Sequence, residues 1–124
     1  MGRSDLGIGY LGLDTGTTIA MRAAADFGLL VRAFVSYGGH PDLSAETLDR
    51  LETPTLFIVG TLDDVLIVAN HRAYEEMWTE RELSFVDGRT TFPDCTRTID
   101  IGAARAVQWI LRSAARPREI PQTA

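Results

Sequence analysis

Three short stretches of this 124-residue chain, each just after an apolar run, carry the side chains best suited to chemistry. Gly12-Leu13-Asp14-Thr15-Gly16 closes the first run, and small residues at both ends let a chain turn sharply enough to present the middle side chain as a nucleophile. Asp14 holds that middle place. A carboxylate nucleophile would form an ester with its substrate, and a base-activated water must then open it. The backbone N–H of Thr15 is the candidate donor to an oxyanion. His40, after Gly38-Gly39, is the better candidate base, because catalytic groups gather at the C-terminal edge of a parallel sheet. His71, in Asn70-His71-Arg72, reads as a helix-surface residue. Gly60-Thr61-Leu62-Asp63 adds a second carboxylate after a buried run.

Each of these residues also has a plainer reading. Asp14 suits a polar turn, since Asp tolerates unusual backbone conformations. His40 suits a solvent-facing loop beside Pro41. Asp63 suits a loop or a helix cap before Val65, with Asp64 beside it favouring the positive helix end.

The elements that must position these residues can be read from apolar patterning. Ile8 to Gly12 reads as a strand and the Ala-rich stretch from Thr17 to Phe27 as a helix, so Asp14 falls on the turn between them. Arg32 to Tyr37 and Leu56 to Val59 read as strands buried on both faces, the pattern of a parallel sheet with helical crossovers. Ser44 suits the N-cap of a helix between them, with Thr47 where a capping box would prefer Glu or Gln. Val65 to Thr79 reads as an amphipathic helix and Leu83 to Val86 as a last strand. Ile99 to Ala114 reads as a closing helix whose inner side is expected to be Ile101, Val107, Ile110 and Leu111.

Composition narrows the classes. A chain that is 45% hydrophobic and 23% charged has the balance of one globular domain, here expected over residues 1–116 with a frayed tail over 117–124. A net charge of -5, with twelve Arg scattered singly, argues against nucleic-acid and membrane partners, which call for clustered cations. The lone Cys95 fits a reducing compartment, and with no signal-peptide pattern or membrane-length apolar run the expected location is cytoplasmic.

From Ile8 to about Tyr74, and more loosely to Arg112, the chain resembles dienelactone-hydrolase-like α/β-hydrolases. The blocks that carry the resemblance are Gly-Tyr-Leu-Gly-Leu-Asp-Thr-Gly, Leu-Val-Arg-Ala-Phe-Val-Ser-Tyr-Gly-Gly-His-Pro-Asp-Leu and Pro-Thr-Leu-Phe-Ile-Val-Gly-Thr-Leu-Asp, in that order. The resemblance implies an α/β fold, here the C-terminal half of an α/β-hydrolase with about four mostly parallel strands flanked by helices. A complete core takes roughly 200 residues or more at ordinary element lengths. It further implies a small ester or lactone as substrate, no cofactor and no metal. Some relatives of this kind are joined to a phosphoribosyltransferase domain.

The resemblance also assigns roles, and two positions depart from it. Asp14 stands where the family carries Ser or Cys, Asp63 stands at the acid position, and Thr91 stands where the family carries His. Thr91 cannot act as a base. The upstream loop that supplies the second oxyanion donor is not among these residues, and losing one such donor typically costs about 100- to 1000-fold in rate. The expected function is therefore a truncated, catalytically degenerate hydrolase, the alternative being an Asp-nucleophile hydrolase completed by a partner or dimer. The first strand's outer edge would stand open, so a second copy or a split-domain partner is expected to cover it.

Two rival motifs remain. Gly7-Ile8-Gly9-Tyr10-Leu11-Gly12 matches a dinucleotide fingerprint but has too few residues before it for the required strand. Leu11-Gly12-Leu13-Asp14-Thr15-Gly16-Thr17-Thr18 looks like the first phosphate motif of actin-like sugar kinases, with the aspartate near magnesium. That distant alternative requires a β-hairpin after Gly16.

Overall fold

The computed structural model describes residues 8–13, 16–90 and 96–115. Its elements run β1 (Ile8–Leu13), α1 (Gly16–Phe27), a 3-10 turn (Gly28–Leu30), β2 (Val31–Tyr37), α2 (Ala45–Arg50), β3 (Thr55–Gly60), α3 (Asp64–Glu76), β4 (Arg81–Val86) and α4 (Thr96–Ala115). The strands form one sheet in the order β1-β2-β3-β4, and every pairing is parallel. All four strands therefore end at one rim, where Leu13 pairs with Tyr37, Tyr37 with Ile58, and Gly60, two residues further along β3, with Val86.

The two central strands are buried on both faces, as their near-continuous apolar sequences require. On one face Val31, Phe34 and Phe57 pack against Met21 and Ala24 of α1, Leu48 of α2, and Ala73 with Met77 at the end of α3. On the other, Ala33, Val35, Tyr37, Leu56 and Ile58 pack against Ala106 and Trp109 of α4. Burying a side chain of Phe size contributes about 2 to 3 kcal/mol, so this sandwich is the main source of stability. No described helix is long and apolar enough to cross a membrane.

Several expectations change. The inner side of α4 is Thr98, Gly102, Ala106, Trp109 and Ser113, while Ile101, Val107 and Leu111 are 47, 54 and 64% exposed. Of the four expected residues Ile110 does pack against the sheet, and the other three do not because the helix lies close on it, where small residues fit. A Cβ at Gly102 would collide with the Tyr37 ring. The third helix stops at Glu76 instead of Thr79, because Met77 turns to extended backbone and drops into the core. The helix over Gly16–Phe27 removes the kinase alternative, whose hairpin would occupy the same residues.

One ion pair ties the helical layer together. Asp42, nearly buried, accepts from Arg22 Nε (2.7 Å), Thr47 Oγ1 (2.8 Å) and Ser44 N (3.0 Å). Ser44 caps α2 as expected, but the Thr47 hydroxyl is committed to Asp42. Burial pushes the Asp42 carboxyl up, yet the hydrogen bonds from Arg22, Ser44 and Thr47 together outweigh it and hold the pKa at about 2. A carboxyl depressed in the folded state adds stability above its unfolded pKa and loses it as pH falls through the folded one. Asp42→Asn should therefore cost about 1 to 2 kcal/mol at neutral pH, after allowance for the exposed Arg22, and markedly less near pH 2, where the carboxyl is being protonated. Urea midpoints of both proteins at the two pH values check this.

Candidate functional site

The rim is built by close backbone approaches. Gly12, at the end of β1, has the Thr17 Cα 2.8 Å from where a Cβ would sit, so the chain reverses from strand to helix in a turn that leaves no room for a side chain there. That turn holds Asp14 and Thr15, which lie outside the described residues. The described residues on either side are Leu13, which ends β1, and Gly16, which opens α1.

Asp63 follows β3 and sits at the N-cap position of α3, but its carboxylate does not cap the helix. It turns back to the sheet. Oδ2 accepts from Gly60 N (2.9 Å), from Thr90 N (3.0 Å) and from the Thr90 hydroxyl. Asp63 is 5% exposed and Thr90 6% exposed, so these charge-assisted bonds are sheltered from competing water. Thr90 in turn packs on Gly38, whose φ of +59° and lack of a Cβ let the end of β2 come against the threonine side chain. The carboxylate thus joins the loop after β4 to the ends of β2 and β3.

The four residues singled out in the sequence for catalysis fare differently. Asp63 is at the rim and buried; His40 is at the same rim, exposed, with Nδ1 3.0 Å from Pro41 O. No hydrogen bond joins His40 to Asp63 among the described residues. His40 lines an apolar groove of about 380 Å³ with Leu43, Val65, Val68, Ala69 and Arg72. Asp14 and Thr91 both lie outside the described residues. Thr90 was not singled out: the pair Thr90-Thr91 carries no sequence signal for which hydroxyl faces the acid. Beneath the rim, Asn70 donates Nδ2 to Gly39 O (3.0 Å) and Leu66 O (2.7 Å), pinning the β2 end to α3. Among the described residues no cluster of His, Cys, Asp or Glu could hold a metal ion.

What this arrangement can do chemically is limited by the acid. A carboxylate orients an imidazole when one of its oxygens receives the ring N–H. Here the three donors from Gly60 and Thr90 all meet Oδ2, and no described histidine bonds the other oxygen: His40 bonds Pro41 O, and His71 lies on the exposed face of α3, 3.5 Å from Glu75.

No protein-family model matches the chain. It is 38% identical over 108 residues to a protein of Mycobacterium tuberculosis named "Putative phosphoribosyl transferase", found in two strains, covering 87% of this chain and 24% of that protein. Among solved structures it is similar to dienelactone hydrolase of Anabaena variabilis, with a TM-score of 0.75 and 32% identity over 85% of this chain and 49% of the hydrolase. Acetyl xylan esterase 1 of a Thermoanaerobacterium species has a TM-score of 0.65 at 16% identity, covering 90% of this chain and 47% of the esterase. The chain spans about a quarter of the curated relatives and about half of the solved structures it matches.

Proposed function

We propose, from the partial α/β-hydrolase fold that this chain carries, that it is a piece of an ester- or lactone-hydrolase lineage whose acid position serves structure instead of a catalytic triad. One observation supports this most: Asp63 Oδ2 is clasped by Gly60 N, Thr90 N and the Thr90 hydroxyl. The sequence argues the same way, with Asp14 at the nucleophile position and Thr91 at the base position. The name of the mycobacterial relative does not bear on these residues, because they match only a quarter of that protein.

Hydrolysis of a chromogenic short-chain ester, compared between the chain and its Asp14→Asn variant, is the test. The expected result is no turnover above buffer in either protein, since Thr91 stands at the base position and Asp63 Oδ2 is taken up by Gly60 and Thr90. Turnover that disappears in Asp14→Asn would establish the aspartate as a working nucleophile and end this reading.

A further inference from the structure

Helix α4 covers its face of the sheet unevenly. It packs on β2 and β3 and meets β4 at Val86, the end of that strand. Before Val86 the strand alternates, so that Leu83 packs into the core on one face while Glu82 and Ser84 turn to the α4 side. Polar side chains at these places do not seat a helix, and a cleft of about 710 Å³ lies between β4 and α4. Leu56 and Trp109 form its floor, and Glu82, Ser84, Arg105 and Arg112 its walls. A volume of this size suits a small molecule. Leu56 pairs with Glu82 near the strand starts, so the cleft is separate from the rim that holds Asp63.

The charges in this cleft do not balance from within. Between α1 and α2, by contrast, Arg22 is paired with Asp42, and Arg50 with Asp26 and Glu46. Beside the His40 groove, Arg72 is paired with Glu76. In the β4 cleft two guanidinium groups face the single carboxylate of Glu82. Arg112 stacks over Trp109 and stands 4.0 Å from Glu82, beyond hydrogen-bond reach. Arg105, half-buried, meets neutral acceptors among the described residues: Nη1 donates to Ser84 Oγ (2.7 Å) and to Phe85 O. These bonds fix the guanidinium and leave Nε and Nη2, a parallel pair of donors that matches two oxygens of one oxyanion. Arg105, Gln108 and Arg112 follow at intervals of three and four residues, so they share one flank of α4. The two guanidinium-bearing residues are thus about 10 Å apart along the helix axis, with the Gln108 amide between them.

We propose that this cleft binds the oxyanion group, a phosphate or a carboxylate, of a small polar molecule. Nε and Nη2 of Arg105 receive two of its oxygens, with Gln108 and Arg112 alongside. Glu82 offsets one of the two positive charges, and the other attracts an anion against the overall net charge of -5. Because Ser84 and Phe85 already hold Arg105 in place, little side-chain freedom is lost when the anion arrives. The body of the ligand is polar, since Leu56 and Trp109 are only 2 and 4% exposed and the walls above them are polar or charged.

Titrating the whole chain with inorganic phosphate and with acetate, at an ionic strength held constant with sodium chloride, tests the proposal by nitrogen–proton NMR. The Arg105 Nε–H and Gln108 backbone N–H signals are expected to shift saturably with at least one of the two anions, at a millimolar or lower dissociation constant. The tighter of the two tells a phosphate site from a carboxylate site. Arg105→Gln, with circular dichroism as a control for folding, should raise the dissociation constant at least about tenfold. If that variant does not fold, Arg112→Gln, which changes an exposed side chain, should raise it about threefold. Arg72→Gln, on α3 outside the cleft, should leave it unchanged. Shifts that stay linear with both anions, as screening alone would produce, overturn the proposal. So does binding that a folded Arg105→Gln variant retains, or that Arg72→Gln weakens as much as the cleft variants.

Discussion

Gly60→Ala is expected to be the most damaging single-methyl change in the chain, lowering stability by about 3 kcal/mol or more. A Cβ at residue 60 would lie 2.2 Å from Gly88 O, 2.8 Å from Asp63 Oδ2 and 2.9 Å from the Arg89 Cα. Two of these neighbours are backbone and cannot rotate away. Relief therefore requires β3 and the loop after β4 to separate, which breaks Thr61 N to Val86 O (2.9 Å) and Leu62 N to Gly88 O (2.9 Å). Gly16→Ala makes a suitable control, since a Cβ there meets nothing within 4 Å. Urea denaturation of the two variants should show a large fall in midpoint for the first and little change for the second. Equal effects would mean that the rim is not packed as described.

Asp63→Ala is expected to cost about 3 kcal/mol for a different reason. It removes the acceptor from Gly60 N, Thr90 N and the Thr90 hydroxyl, all buried, and each orphaned donor costs about 1 to 3 kcal/mol unless water reaches it. Asp63→Asn keeps one oxygen as an acceptor and should cost less. A loss in the alanine variant no larger than in the asparagine variant would indicate that the three donors find other partners.

Much of the sheet was legible because parallel strands buried on both faces leave long apolar runs with little ambiguity. Val31 to Tyr37 and Thr55 to Gly60 match the expected strands to within a residue or two at either end. The helices were harder. Nothing in the sequence distinguishes Gly102 and Ala106, which touch the sheet, from Val107 and Leu111, which do not. Of the larger side chains read as core, Ile110 packs against the sheet while Ile101, Val107 and Leu111 are exposed.

At the rim the glycines located the ends of β1 and β3, since close approach leaves a direct mark on sequence. The partner of Asp63 left none. Whether a carboxylate holds a loop or orients a base depends on which donor the fold brings to it, and Thr90 reaches Asp63 across 27 residues of chain. His40 shows the converse, a residue placed at the right edge whose ring bonds its own loop at Pro41.

A double-mutant cycle on Asp63→Asn and Thr90→Val, read by urea denaturation, measures the tie between the carboxylate and that loop. The two changes should couple by about 1 to 2 kcal/mol, because either one alone already abolishes the charged hydroxyl-to-carboxylate bond. Losses that add within roughly 0.5 kcal/mol would show that Asp63 does not depend on Thr90, and that its carboxylate is free for another partner.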